Sequence, residues 1–123
     1  MKTETIRIAS KEAAVAYCYA TEIAYKELSG QDIADFMAEV SDALYASRMP
    51  DVKKTVFLLL AAMLAASQQS GEETPITDKD IMTAATPQEL GEALGTVLNL
   101  RGAFYMLPAG ETEPKKESDE KNA

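Results

Sequence analysis

Apolar residues recur along most of the chain at intervals of three and four, the spacing that lines one face of a helix. Over 11–28, Ala14, Tyr17, Cys18, Thr21, Tyr25 and Leu28 share a face, while Glu12, Glu22 and Lys26 occupy the other. Ser10 supplies an N-cap hydroxyl for the first turn, and Gly30 is free to take the left-handed cap that ends the helix. Glu22 and Lys26 stand at the favourable i,i+4 spacing. A second helix follows over about 31–47, with Ile33, Phe36, Met37, Val40 and Leu44 on one stripe and Asp35, Glu39 and Asp42 turned away. Met49-Pro50 breaks it, because a residue before proline is driven from helical torsion and proline suits a helix start.

The third helix, about 51–69, is apolar nearly all round from Val56 to Ala66, as a helix at the centre of a core would be. That run is too short to span a membrane, which takes roughly 20 apolar residues. The segment SGEETP is a loop by composition, and Thr77 with Asp80 forms a capping arrangement for a short helix over DKDIMTAA. Thr86-Pro87-Gln88-Glu89 combines an N-cap threonine, proline at the first helical position and a glutamate three residues after the cap. It predicts a helix from Pro87 to about Met106, stopped by Pro108, with Leu90, Leu94, Val97, Leu98 and Phe104 on its apolar face.

Only Thr5 to Ala9 departs from helical spacing. There Ile6 and Ile8 alternate with polar residues as in a strand, which predicts an extended arm or one edge strand over 1–9. At the other end, 109–123 has no large apolar residue and mixes lysine with glutamate, so it reads as a disordered, solvated tail. The expectation is an all-α fold. It comprises one bundle of about four main helices and one short helix over 10–108, with a short N-terminal extended segment.

Gly91, Gly95 and Gly102 stand out, since each weakens a helix interior by roughly 1 kcal/mol relative to alanine. Their spacing puts them, with Leu98, in one narrow sector of the last helix. Close crossing by the alanines of helix three, Ala61, Ala62, Ala65 and Ala66, is the plainer explanation, and a groove for a partner's helix is the alternative. Tyr19 points away from the main stripe of helix one and is a second candidate contact, because exposed tyrosine is common at interfaces. Burial against a neighbouring helix is its plainer explanation.

Charge and chemistry narrow the function by exclusion. The 123 residues suit one domain, and their formal net charge of −8 repels nucleic-acid phosphates and anionic lipid surfaces. Histidine is absent, removing the commonest general base, and the single cysteine, Cys18, lies on an apolar face as an inert core thiol would. One cysteine and no signal-peptide pattern suggest the cytoplasm. No metal or other cofactor is called for. Glu39 and Asp42 have the i,i+3 spacing with which an all-helical magnesium-dependent nucleotide hydrolase would hold its metal. The second acidic pair such a site needs is missing from helix one, and a solvated helix face accounts for both residues. Asp78 and Asp80 suit a helix N-terminus better than a calcium loop.

Taken together, AYCYATEIAYKELSGQDIADF, MPDVKKTVFLLLAAMLA and ITDKDIMTAATPQELGEALGTVLNL resemble the small tail assembly chaperones of tailed phages and prophages. The similarity runs from about Ile6 to Leu107 and is compositional and positional, so no signature residue carries over. It implies a helical, non-enzymatic protein of the bacterial cytoplasm that binds the long tape-measure protein and assists tail-tube assembly. A structural head-tail or tail-completion protein is the alternative from a different class, and homo-oligomerisation stays open. The candidate partner-binding residues are Gly91, Gly95, Leu98, Gly102 and Tyr19.

Overall fold

Two short strands open the chain in the computed structural model, which describes residues 2–106. β1 (Thr3–Ile8) and β2 (Lys11–Ala16) pair antiparallel, Ile6 opposite Ala13 and Ile8 opposite Lys11. Ile6, Ile8, Ala13 and Val15 point to one side and are buried. The other side carries Arg7 and Glu12, opposite each other and ion-paired at 3.5 Å. Ala9 and Ser10 form the two-residue turn with φ of 56° and 65°, the positive pair that a type I′ hairpin turn demands. Ser10 therefore closes a hairpin and does not cap a helix.

The fold is mostly helical with a small antiparallel sheet, which corrects the all-α expectation. The first helix, α1 (Tyr19–Ser29), starts eight residues later than Lys11 and ends as expected, with Gly30 at φ 76° and its N–H donating to the Lys26 carbonyl at 2.8 Å. At the strand-to-helix corner, the fully buried Thr21 hydroxyl accepts from the Cys18 N–H at 3.1 Å and donates to the Ala16 carbonyl at 3.0 Å. One side chain thus ties the end of β2 to the first turn of α1. Lys26 pairs with Asp32 at 2.8 Å, whereas the sequence spacing had suggested Glu22.

The remaining elements are α2 (Ile33–Tyr45), α3 (Val52–Ser70), α4 (Asp78–Ala84) and α5 (Pro87–Met106). Asp51 caps α3 by accepting the Lys54 N–H at 2.9 Å. Thr77 and Asp80 satisfy each other's backbone N–H at 3.0 and 3.1 Å, and Thr86 and Glu89 do the same at 3.0 and 3.1 Å. Both are capping boxes. Glu89 also accepts the Ala9 N–H at 3.4 Å, fastening the hairpin turn to the head of α5.

The apolar run on α3 lies at the centre. Val56, Leu58, Leu59, Ala61, Ala62 and Met63 are wholly buried, and α3 touches α1, β2, α4 and α5. β2 rests on α3 and β1 on α5, so the hairpin bridges those two helices. Phe36 and Val40 bring α2 into the same core, but Leu44, expected on that stripe, is exposed while Ala43 is buried in its place. Among the described residues no helix is long and apolar enough to cross a membrane. The tail expected at 109–123 and the stop at Pro108 lie outside the described residues.

The glycines of α5 are not where helices cross closely. Among the described residues, a Cβ built on Gly91, Gly95 or Gly102 meets no atom within 4 Å beyond its chain neighbours and its own helix backbone. Of the α3 alanines, Ala61 and Ala62 lie in the main core with the buried residues of α5, and Ala65 and Ala66 lie against Ala16, with Cys18 and Ala20 alongside.

Candidate protein-docking site

The rotation of α1 about its axis is fixed from inside. Besides Thr21, Tyr25 is fully buried, stacked on Phe36 with ring centroids 5.4 Å apart, and its hydroxyl donates to Gln31 Oε1 at 2.9 Å. Those anchors leave the opposite stripe, Tyr19, Glu22, Ile23, Lys26 and Glu27, facing outward at helical spacing. Tyr19 is 66% exposed and Ile23 60%, a large apolar pair held in solvent. The Gly30 turn then folds the start of α2 back beside them. Tyr19, Ile23, Ile33 and Ala34 line an open groove of about 620 Å³, with Glu22, Lys26, Glu27 and Asp32 around it.

Aromatic rings gather beside Tyr19 at the head of α1. Phe104 meets Tyr19 edge-on at 5.1 Å and Tyr17 at 5.8 Å, and Tyr105 packs edge-on against Phe104 at 5.1 Å. The Arg101 guanidinium lies over the Tyr105 ring at 5.0 Å, a cation–π arrangement. Glu22 accepts hydrogen bonds from the Tyr17 hydroxyl at 2.7 Å and from the Tyr105 hydroxyl. Burial pushes the Tyr17 hydroxyl pKa well above its ordinary value, and the neighbouring Glu22 carboxylate pushes it the same way. The phenol therefore remains a donor to Glu22, and the last turn of α5 is clasped to the first turn of α1.

Of the residues proposed from sequence, Tyr19 lies at this groove. Gly91, Gly95, Leu98 and Gly102 lie together on α5, Leu98 half-buried against the core and the glycines open. Helical spacing places Tyr105 and Met106 on the same stripe, three and four residues beyond Gly102. The two candidate surfaces thus meet at the aromatic cluster. Sequence reasoning missed Ile23, Ile33 and Ala34. The signal for Ile23 was its i+4 relation to Tyr19 on a face otherwise polar.

The carboxylates considered for magnesium have other partners. Glu39 accepts from Lys54 Nζ at 2.8 and 3.0 Å and from Gln31 Nε2 at 2.7 Å. The Lys54 contact holds its carboxyl below the ordinary value. Asp80 is likewise held low by the Thr77 N–H and by Lys11, which reaches it at 3.1 Å from the hairpin. Among the described residues no three acidic or cysteine side chains gather as a metal site. Cys18 is half-buried at the head of α1. Compared with known proteins, the chain matches no family model, no curated protein and no solved structure.

Proposed function

We propose that the chain is a non-enzymatic assembly factor of the bacterial cytoplasm. It binds apolar helices of a larger partner and keeps them soluble, the part that tail assembly chaperones of phages and prophages play toward the tape-measure protein. The observation that carries this reading is the groove floored by Tyr19 and Ile23, two large side chains left in solvent although α1 is firmly packed on its other side. Contiguous apolar surface of this kind, rimmed by charge, marks interaction sites in water-facing proteins. Helix-in-groove recognition is the physical mode that it suits. The acidic surface supports the same role, because a net charge of −8 keeps such a binder dispersed while its apolar face is empty.

The proposal expects a tape-measure protein to be encoded beside this chain, and its test is co-expression of the two. A soluble complex that elutes as one species is expected. Insolubility or separate elution across overlapping tape-measure fragments would overturn the proposal. Mass spectrometry of mature particles adds the second criterion: an assembly factor leaves before completion, whereas a head-tail or tail-completion protein stays.

A further inference from the structure

We infer that the α1 groove takes an amphipathic helix with basic residues flanking its apolar stripe, which rests on the proposed assembly role and specifies its partner's chemistry. The floor fixes the apolar half of that description. Tyr19 and Ile23 stand four residues apart on α1, roughly 6 Å at the helical rise, and Ile33, largely buried at the start of α2, borders them, a floor that suits anchors spaced i and i+3/i+4 on an occupant helix.

The rim fixes the charged half. Three carboxylates, Glu22, Glu27 and Asp32, stand around the floor with one ammonium, Lys26. Lys26 is already engaged by Asp32 at 2.8 Å. Glu22 accepts the two tyrosine hydroxyls, and Glu27 is in no ion pair among the described residues. A lysine or arginine beside the occupant's apolar stripe would meet Glu27 at the edge of a low-dielectric floor, where charge attraction is stronger than in open water.

Two other occupants fit worse. A second copy would bring this acidic rim against another chain of net charge −8. The chain's own C-terminal segment has lysines at Lys115 and Lys116, but 110–123 contains no large apolar side chain to fill the floor.

The experiment titrates the full chain with two fluorescent synthetic peptides that share leucines at i, i+3, i+4 and i+7 and differ only in lysine or glutamate flanks. Fluorescence anisotropy should give at least about tenfold tighter binding of the lysine peptide, equivalent to about 1.4 kcal/mol. Ile23→Ser, a neutral change, should weaken it by about tenfold or more, while Met82→Ser, at an exposed position on α4, should leave it unchanged. Glu27→Lys should narrow or reverse the preference between the peptides. Circular dichroism confirms that each variant is folded, and Ile23→Ala serves as the milder truncation if Ile23→Ser does not fold. Equal affinity for both peptides, or lysine-peptide binding that survives the Ile23 substitution, overturns the inference. So does a wild-type dimer in sedimentation that Ile23→Ser dissociates, since the groove then belongs to a second copy. A tape-measure complex that withstands Ile23→Ser moves the site off the groove and leaves the assembly role standing. Failure to form any such complex removes that role, and the peptide result is then read by itself.

Discussion

Replacing Thr21 by valine keeps the shape of a fully buried side chain and removes its oxygen. That oxygen is the acceptor for the Cys18 N–H at 3.1 Å and the donor to the Ala16 carbonyl at 3.0 Å. Both partners belong to the corner where β2 becomes α1, so Thr21→Val leaves one donor and one acceptor unmatched beside the core. A buried polar group deprived of its partner costs roughly 1–3 kcal/mol. Two such groups, with some relaxation toward solvent at half-buried Cys18, give an expected loss of about 2–4 kcal/mol. For a domain of this size that lowers Tm by roughly 8–16 °C. Thr21→Ser keeps the oxygen and loses one methyl group, worth about 1 kcal/mol. Urea denaturation followed by circular dichroism measures all three proteins, and the midpoint should fall in the order wild type, serine, valine with an unchanged slope. A valine variant as stable as wild type, or less damaged than serine, would refute the role assigned to the hydroxyl.

Three further outcomes follow from the geometry. Ser10→Gly should stabilise the chain by about 0.5–1 kcal/mol, because Ser10 sits exposed at φ 65°, where a Cβ is strained and glycine is not; a lower urea midpoint would contradict that backbone assignment. Gly95→Ala should also stabilise by about 0.5–1 kcal/mol, since its Cβ meets open space in a helix interior, and Gly95→Leu should remain folded. Loss of folding in the leucine variant would return the glycines to a tight crossing, and loss of complex alone would extend the docking surface along α5. Glu39 and Asp80 both have carboxyl pKa values lowered in the folded state, so their stabilising effect is complete above the unfolded values of 4.5 and 3.8 and disappears as pH falls through the lower folded values. Lys54→Met should flatten the Glu39 part of that acid sensitivity in a stability-versus-pH series, and an unchanged slope would count against the ion pair.

Helix ends were the most legible features, because each is dictated by a few local atoms. Gly30, Thr77 with Asp80, and Thr86 with Glu89 occupy the capping positions that their chemistry demands, whereas the Asp51 cap of α3 was not read from the sequence. The hairpin was half legible. Ile6 and Ile8 announced a strand, but its partner KEAAVA is alanine-rich, and alanine favours helices. Ala14, Tyr17, Cys18 and Thr21 also happened to fit helical spacing, masking the period-two pair Ala13 and Val15. The turn that would have separated the strands is Ala-Ser, not the Asn-Gly or Asp-Gly that signals a type I′ hairpin. Tertiary burial on α3 and α5 overrides the local preference there. The glycine stripe was correctly placed on one helix face, but its environment depends on where α3 lies, which spacing alone does not encode. Tyr19 was singled out as pointing off the main stripe. The groove around it joins two helices through the Gly30 turn, so Ile33 and Ala34 enter it only after folding.

The central claim is that the outward face of α1 holds a protein partner. Its most direct test is size-exclusion chromatography with light scattering on the chain co-expressed with the tape-measure protein proposed as its partner, wild type beside Ile23→Ser. The account predicts a soluble complex with wild type and, with the variant, a folded free chain and an aggregated partner. An intact complex with Ile23→Ser, or no complex with wild type, would contradict it.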